Sequence, residues 1–135
     1  MALVAAGVVM ATAAVAPGEA GIGNGVELRL PMHFLLKPEL RGIVVSETYP
    51  YRYVAHGHFV VAGRTVARLS FHGNATPTPK KIMLTISRAK RDAIRAAARA
   101  HPNRKVVYDM WLTSYFETQS SPAGTDYTRR YVRIR

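Results

Sequence analysis

VVYDMWLTSYFET, residues Val106–Thr118, is the longest run in the chain with the period of a β-strand. Val106, Tyr108, Met110, Leu112 and Phe116 fall on one face, and Asp109, Trp111, Thr113, Tyr115 and Glu117 on the other. Alternation of this kind is what a strand with one buried face requires, because successive side chains point to opposite sides. Directly before it lies SRAKRDAIRAAARA, Ser87–Ala100, the one helix-like stretch. Arg88, Arg91, Asp92, Arg95 and Arg99 share one side of that helix. Ala89, Ala93, Ala96, Ala97 and Ala100, with Ile94 beside them, form the opposite side, so Ile94 is the expected anchor. Ser87 supplies an N-cap, and His101-Pro102-Asn103 ends the helix, since a residue before proline is pushed out of the α region.

Outward from this pair, the rest reads as short strands. After Val106–Thr118 come a loop, Gln119–Asp126, and a closing strand, Tyr127–Arg135. In that strand Val132 and Ile134 point inward, while Tyr127, Arg129, Tyr131 and Arg133 point outward. Upstream, His58–Ala62 and Thr65–Phe71 flank Gly63-Arg64 as a tight hairpin, and His72–Pro79 has the composition of a loop. In Val26–Leu36, Val26, Leu28, Leu30, Met32, Phe34 and Leu36 alternate with polar residues, and Pro31 marks an edge strand or a break. Ile43-Val44-Val45 lies within a further apolar run, and Tyr49–Tyr53 leads through a turn into a strand. Several short strands separated by turn signals predict a mostly β sandwich with one short helix near residues 87–100.

The organisation expected is one domain, residues 26–135, behind two N-terminal pieces. Met1–Ala16 is apolar and built of small residues; its 16 residues match the core of an export signal and fall short of the ~20 a membrane span needs. Residues 1–20 are therefore read as an export signal or an apolar N-terminal segment, although no Lys or Arg precedes Arg29 to supply the usual basic start. Residues 21–25 are a Gly-rich linker. Hydrophobic residues make up 48% of the chain, which argues against a disordered chain. There is no cysteine, hence no disulfide framework, thiol chemistry or Cys-based zinc site.

The charge is the strongest functional signal. Lys and Arg number 19 against 8 Asp and Glu, a formal net charge of +11. Nine of the basic residues lie between Lys80 and Lys105, where Asp92 is the one acid. Such a surface attracts polyanions: nucleic acid, anionic lipid or acidic wall polymer. The polyanion-contact candidates are Arg88, Arg91, Arg95, Arg99, Arg129 and Arg133. The aromatic contact candidates are Trp111, Tyr115, Tyr127 and Tyr131. Tyrosines interleaved with arginines resemble single-strand stacking platforms, but cross-strand pairing on an outer sheet face explains the same pattern, and no RNP motif or finger accompanies it. Trp111 and Tyr115 are expected beneath the helix or the N-terminal segment.

Catalytic signals are lacking. There is no G-x-S-x-G, and Gly21, Gly23 and Gly25 have neither the preceding strand nor the following helix of a phosphate loop. Asp109 and Glu117 share a strand face but stand eight residues apart, beyond the about 5–9.5 Å of a glycosidase pair. His56 and His58 point the same way on a strand and are weak metal candidates, with Glu47 the nearest carboxylate in sequence. No cofactor and no metal are expected.

The second half resembles immunoglobulin-like or fibronectin-type β-sandwich modules of secreted actinobacterial proteins. The resemblance rests on Phe59-Val60-Val61-Ala62-Gly63-Arg64-Thr65, on Leu84-Thr85-Ile86-Ser87-Arg88 leading into the helix, on Val106–Thr113, on Ala123-Gly124-Thr125 and on the ending Tyr131–Arg135. It covers about half the chain, with Ser70–Met83 as an insertion. It implies a non-enzymatic module with a structural or adhesive role, and with residues 1–20 read as a signal the expected place is extracellular or in the cell envelope. Its partner would be an anionic cell-wall polymer or another protein, with weak non-specific nucleic-acid binding as a by-product of charge. The alternative is a basic intracellular nucleic-acid-binding protein, and a third class is a hydrolase or ligand-binding β domain without a motif.

Overall fold

The computed structural model describes residues 25–134. The apolar segment 1–20 and all but the last residue of the 21–25 linker lie outside the described residues. Among the described residues, no helix is long and apolar enough to cross a membrane.

Eight strands and one helix follow in the order β1 (Val26–Arg29), β2 (His33–Leu35), β3 (Glu39–Ser46), β4 (Tyr51–Val61), β5 (Arg64–Ala75), β6 (Lys80–Thr85), α1 (Arg88–Ala100), β7 (Val106–Phe116) and β8 (Pro122–Arg133). They form a sandwich-like pair of sheets, ordered β1-β3-β6 and β2-β8-β7-β4-β5. All neighbouring strands are antiparallel except β2, which runs parallel to β8. The core joins both sheets. Val26, Leu28, Leu40, Val44 and Leu84 from the smaller meet Phe34, Phe59, Tyr108, Met110, Leu112 and Val132 from the larger.

Val26–Leu36 keeps its alternation yet divides at Pro31 between the sheets. β1 pairs with β3, and β2 pairs with β8 after Tyr131 N–H donates to Met32 O at 2.8 Å. Proline interrupts the ladder where the chain changes sheet. Val26, Leu28, Leu30, Phe34 and Leu36 are buried, but Met32, expected inside, is 53% exposed at the crossing.

The hairpin is longer than its sequence signal. β4 and β5 pair from Tyr51↔Ala75 to Val61↔Arg64, so half of the expected loop His72–Pro79 is strand and residues 76–79 remain the connection. The turn is Ala62-Gly63, both with positive φ (52° and 77°), the geometry of a tight two-residue hairpin. The loop after β7 is also shorter than expected, because β8 begins at Pro122.

Facing residues of β4 and β7 explain the tight centre of the sheet. Gly57 lies opposite Met110, and Phe59 opposite Tyr108. The Tyr108 ring crosses Gly57, and its hydroxyl donates to Leu69 O at 3.1 Å. Gly57 is thus required by a close approach rather than by its own backbone angles.

α1 is capped as expected, with Lys90 N–H donating to Ser87 Oγ at 3.3 Å, and packs on β5 and β4. Ile94 is its one fully buried residue. The helix is turned relative to the alanine face expected. Ala97 and Ala98 pack on the core, while Ala89, Ala93, Ala96 and Ala100 face solvent. Arg91 is half-buried, and its Nε donates to Ile86 O at 3.1 Å. An arginine can lie on the packed side when its stem covers apolar surface and its head meets a carbonyl.

Burial pushes the Tyr108 hydroxyl well above the usual tyrosine range, and burial followed by a bond to Asp109 does the same to Tyr127. The folded state therefore holds these protons more tightly than the unfolded chain. The stability this brings is fully present below the unfolded tyrosine pKa of about 10 and is lost as pH rises beyond it. The urea midpoint is expected to stay level from about pH 7 to 9 and to fall above about pH 10; a midpoint still level near pH 11 would contradict this account.

Candidate anion-binding cleft and exposed sheet face

The end of α1 is where the charge gathers. His101 N–H donates to Ala97 O (3.1 Å) and Ala98 O (3.3 Å), closing the helix, and Pro102 prevents its continuation. The chain turns back through a bond from Arg104 N–H to His101 O at 3.0 Å and enters β7. This turn sets Arg104 and Lys105 beside Arg95 and Arg99 of the last helical turns, across from the β2–β8 edge of the large sheet. Between them lies a cleft of 750 Å³. The four cations line it together with Pro102; its wall is His33 and Tyr131, and its floor is Ala98, Val106, Val132 and Ile134. Among the described residues, no carboxylate side chain lines it.

Cations near a helix C-terminus are favoured by the dipole, but that effect is confined to the last turn, where Arg99 is the basic residue. Asp92, the acid of the helix, is mostly exposed and stands 3.9 Å from both Arg95 and Arg88, at the outer limit of an ion pair, so these contacts are of little worth. The cleft therefore carries a concentrated, poorly compensated positive potential, which favours an anionic occupant. Its wall is rigid. His33 stacks on Tyr131 with centroids 5.4 Å apart, and Lys105 Nζ lies 5.4 Å from the same ring, within cation–π reach.

The other notable surface is the outer face of the five-stranded sheet. Register places Tyr127 beside Trp111 beside His56, and Arg129 beside Asp109 beside His58. Trp111 is 39% exposed, so it lies on an open face rather than beneath the helix; Tyr115, expected there with it, is half-buried with the Arg52 guanidinium 4.6 Å from its ring. Trp111 contacts Tyr127 at 5.1 Å and His58 at 5.6 Å. Phe116, read as inward, is equally exposed at the strand end, where it packs on Tyr51.

Asp109 is buried on this outer face because its neighbours cover it. Arg129 binds both carboxylate oxygens (2.7 and 2.9 Å), and Tyr127 Oη donates to one of them at 2.6 Å. Such a bidentate pair has the geometry of a strong charge-assisted contact, and it commits Arg129 to the sheet.

The structure thus sorts the expected contact residues. Arg95, Arg99 and Tyr131 are brought together in the cleft. Arg88 is exposed beside Asp92, Arg91 holds the Ile86 carbonyl, Arg129 holds Asp109, and Arg133 borders a separate surface groove with Lys37 and Arg41. Sequence reasoning did not single out Arg104, Lys105 or His33 as site residues. The signal for the first two was their place just past the helix stop; nothing local marks His33, which reaches the cleft through the parallel β2–β8 pairing. The two histidines expected to share a strand face do so, with His58 Nε2 3.1 Å from Arg68 Nη1 and His56 Nδ1 3.4 Å from Ser70 Oγ. Among the described residues no group of three His, Asp or Glu side chains is placed to share a metal.

Comparison of the chain with protein-family models and with curated proteins finds no match.

Proposed function

We propose that this chain is a non-enzymatic β-sandwich module, exported or held in the cell envelope, that adheres to anionic polymer through the cleft at the end of α1. The observation that carries the reading is the convergence of Arg95, Arg99, Arg104 and Lys105 around one cavity, with no carboxylate side chain among the described residues that line it. Export rests on the apolar run Met1–Ala16. An immunoglobulin-like ancestry belongs to the same proposal. In its support, β1-β3-β6 follows the order of strands A, B and E of that fold, and β8-β7-β4-β5 the order G, F, C and C′.

Binding of this kind is driven by counterion release, so it is steeply salt-dependent. Four phosphate contacts on a single strand give a slope of about −0.7 each, or roughly a 50-fold loss of affinity between about 50 and 200 mM salt. Fluorescence anisotropy with labelled heparin and a labelled single strand is expected to show this loss for both. Arg95→Glu/Arg99→Glu/Arg104→Glu is expected to abolish binding. Trp111→Ala and Tyr131→Ala distinguish the nucleic-acid alternative, which the exposure of Trp111 beside Tyr127 favours. Under the adhesive reading neither substitution affects single-strand affinity by more than about 0.5 kcal/mol, whereas base stacking would make each cost about 1–3 kcal/mol.

A further inference from the structure

We infer that the cleft between α1 and the β2–β8 edge is a discrete site for a phosphate group carried on an aliphatic chain. This rests on the reading of the cleft as an anion site and narrows it to a ligand class. A polymer tracking a basic surface needs no cavity, yet this one has 750 Å³, within the range of about 300–1,000 Å³ typical of small-ligand sites.

Its two chemistries are divided between segments. Arg99, Arg104 and Lys105 are exposed and offer charge, whereas Val106 and Val132 beneath are only 5% and 7% exposed. The apolar surface open to a ligand comes from half-buried Ala98 and Ile134, with Val106 and Val132 closing the floor behind them. A bare inorganic anion would leave that floor facing water, and a neutral lipid would leave the guanidinium groups unpaired. An amphiphile answers both. A nucleobase is the poorer fit, because the one aromatic ring in the wall already stacks on His33 and lies near Lys105.

Titration calorimetry with inorganic phosphate, butyl phosphate and octyl phosphate, each below its micellar concentration, tests this. Each methylene taken out of water is worth roughly a factor of four, so octyl phosphate is expected to bind at least ~30-fold more tightly than inorganic phosphate, with butyl phosphate between. Arg99→Glu/Arg104→Glu, exposed positions whose change should leave the urea melt unaltered, is expected to weaken octyl phosphate at least ~10-fold by charge repulsion. Co-sedimentation with phosphatidic acid vesicles, against phosphatidylcholine vesicles, separates the sources. Capture that octyl phosphate displaces points to a lipid headgroup; binding of octyl phosphate without vesicle capture points to a free amphiphile; both sustain the site. Vesicle capture that octyl phosphate does not displace, or equal affinity along the alkyl series, overturns it. Heparin retention measured on the same protein separates the two readings: if heparin still binds, only the amphiphile site fails, and if it does not, the anion cleft fails too.

Discussion

Gly57→Ala is expected to destabilise the protein by about 3–5 kcal/mol, a large share of the stability of a domain this size. Taken locally the substitution should help, since alanine in a strand interior is favoured over glycine by about 0.5–1 kcal/mol. The surroundings reverse the sign. A Cβ at this position would overlap the hydroxyl end of the Tyr108 ring, and that ring has no room to withdraw: Tyr108 is 0% exposed, contacts Phe59 at 4.8 Å and Phe34 at 6.4 Å, and bonds Leu69 O. Either the ring leaves the core or β4 and β7 separate, and each loses burial comparable to an aromatic truncation. Urea melts of a double-mutant cycle check the cause. In a Tyr108→Val background, Gly57→Ala should be close to neutral; if the two losses simply add, the clash lies elsewhere.

Ile94→Asp is expected to cost about 2–4 kcal/mol, from lost packing and a buried charge without a partner. Ile94 is 0% exposed and is the one large apolar side chain by which α1 is attached, since its other packed residues are Ala97, Ala98 and the stems of arginines. The rotation of the helix makes a sharper test possible. Ala96→Asp, on the solvent side, should change stability by less than about 0.5 kcal/mol, and Arg95→Ala by a similar amount, its head being held by no more than the distant Asp92. Ala98→Asp should cost more than either, because it places a charge against the core. Equal effects at positions 96 and 98 in urea melts would mean that the helix is seated on another face.

What the sequence determined by itself was local. The alternation of Val106–Thr118 and Tyr127–Arg133, the hairpin near Gly63, and the start and stop of the helix at Ser87 and His101 depend on side-chain period, turn chemistry and capping, and these act within a few residues. Ile94 was legible as an anchor because no other helix position offers a large apolar group. What lay across from each segment was decided by the tertiary structure. The alternation of Val26–Leu36 is the same whether it pairs with one strand or divides between two, so the change of sheet at Pro31 became visible only with β3 and β8 in place. The alanines run round most of the helix, and its rotation was chosen by the Ile86 carbonyl and the surface of β5 rather than by its own pattern. Trp111 lies open because the helix packs on the opposite face of the large sheet, a matter of crossover geometry. The cleft is the furthest from local reading. His33, Arg95, Arg104 and Tyr131 are brought to one cleft by the parallel pairing of β2 with β8 and by the turn after α1, and electrostatic potential belongs to that assembled shape, not to any one stretch of chain.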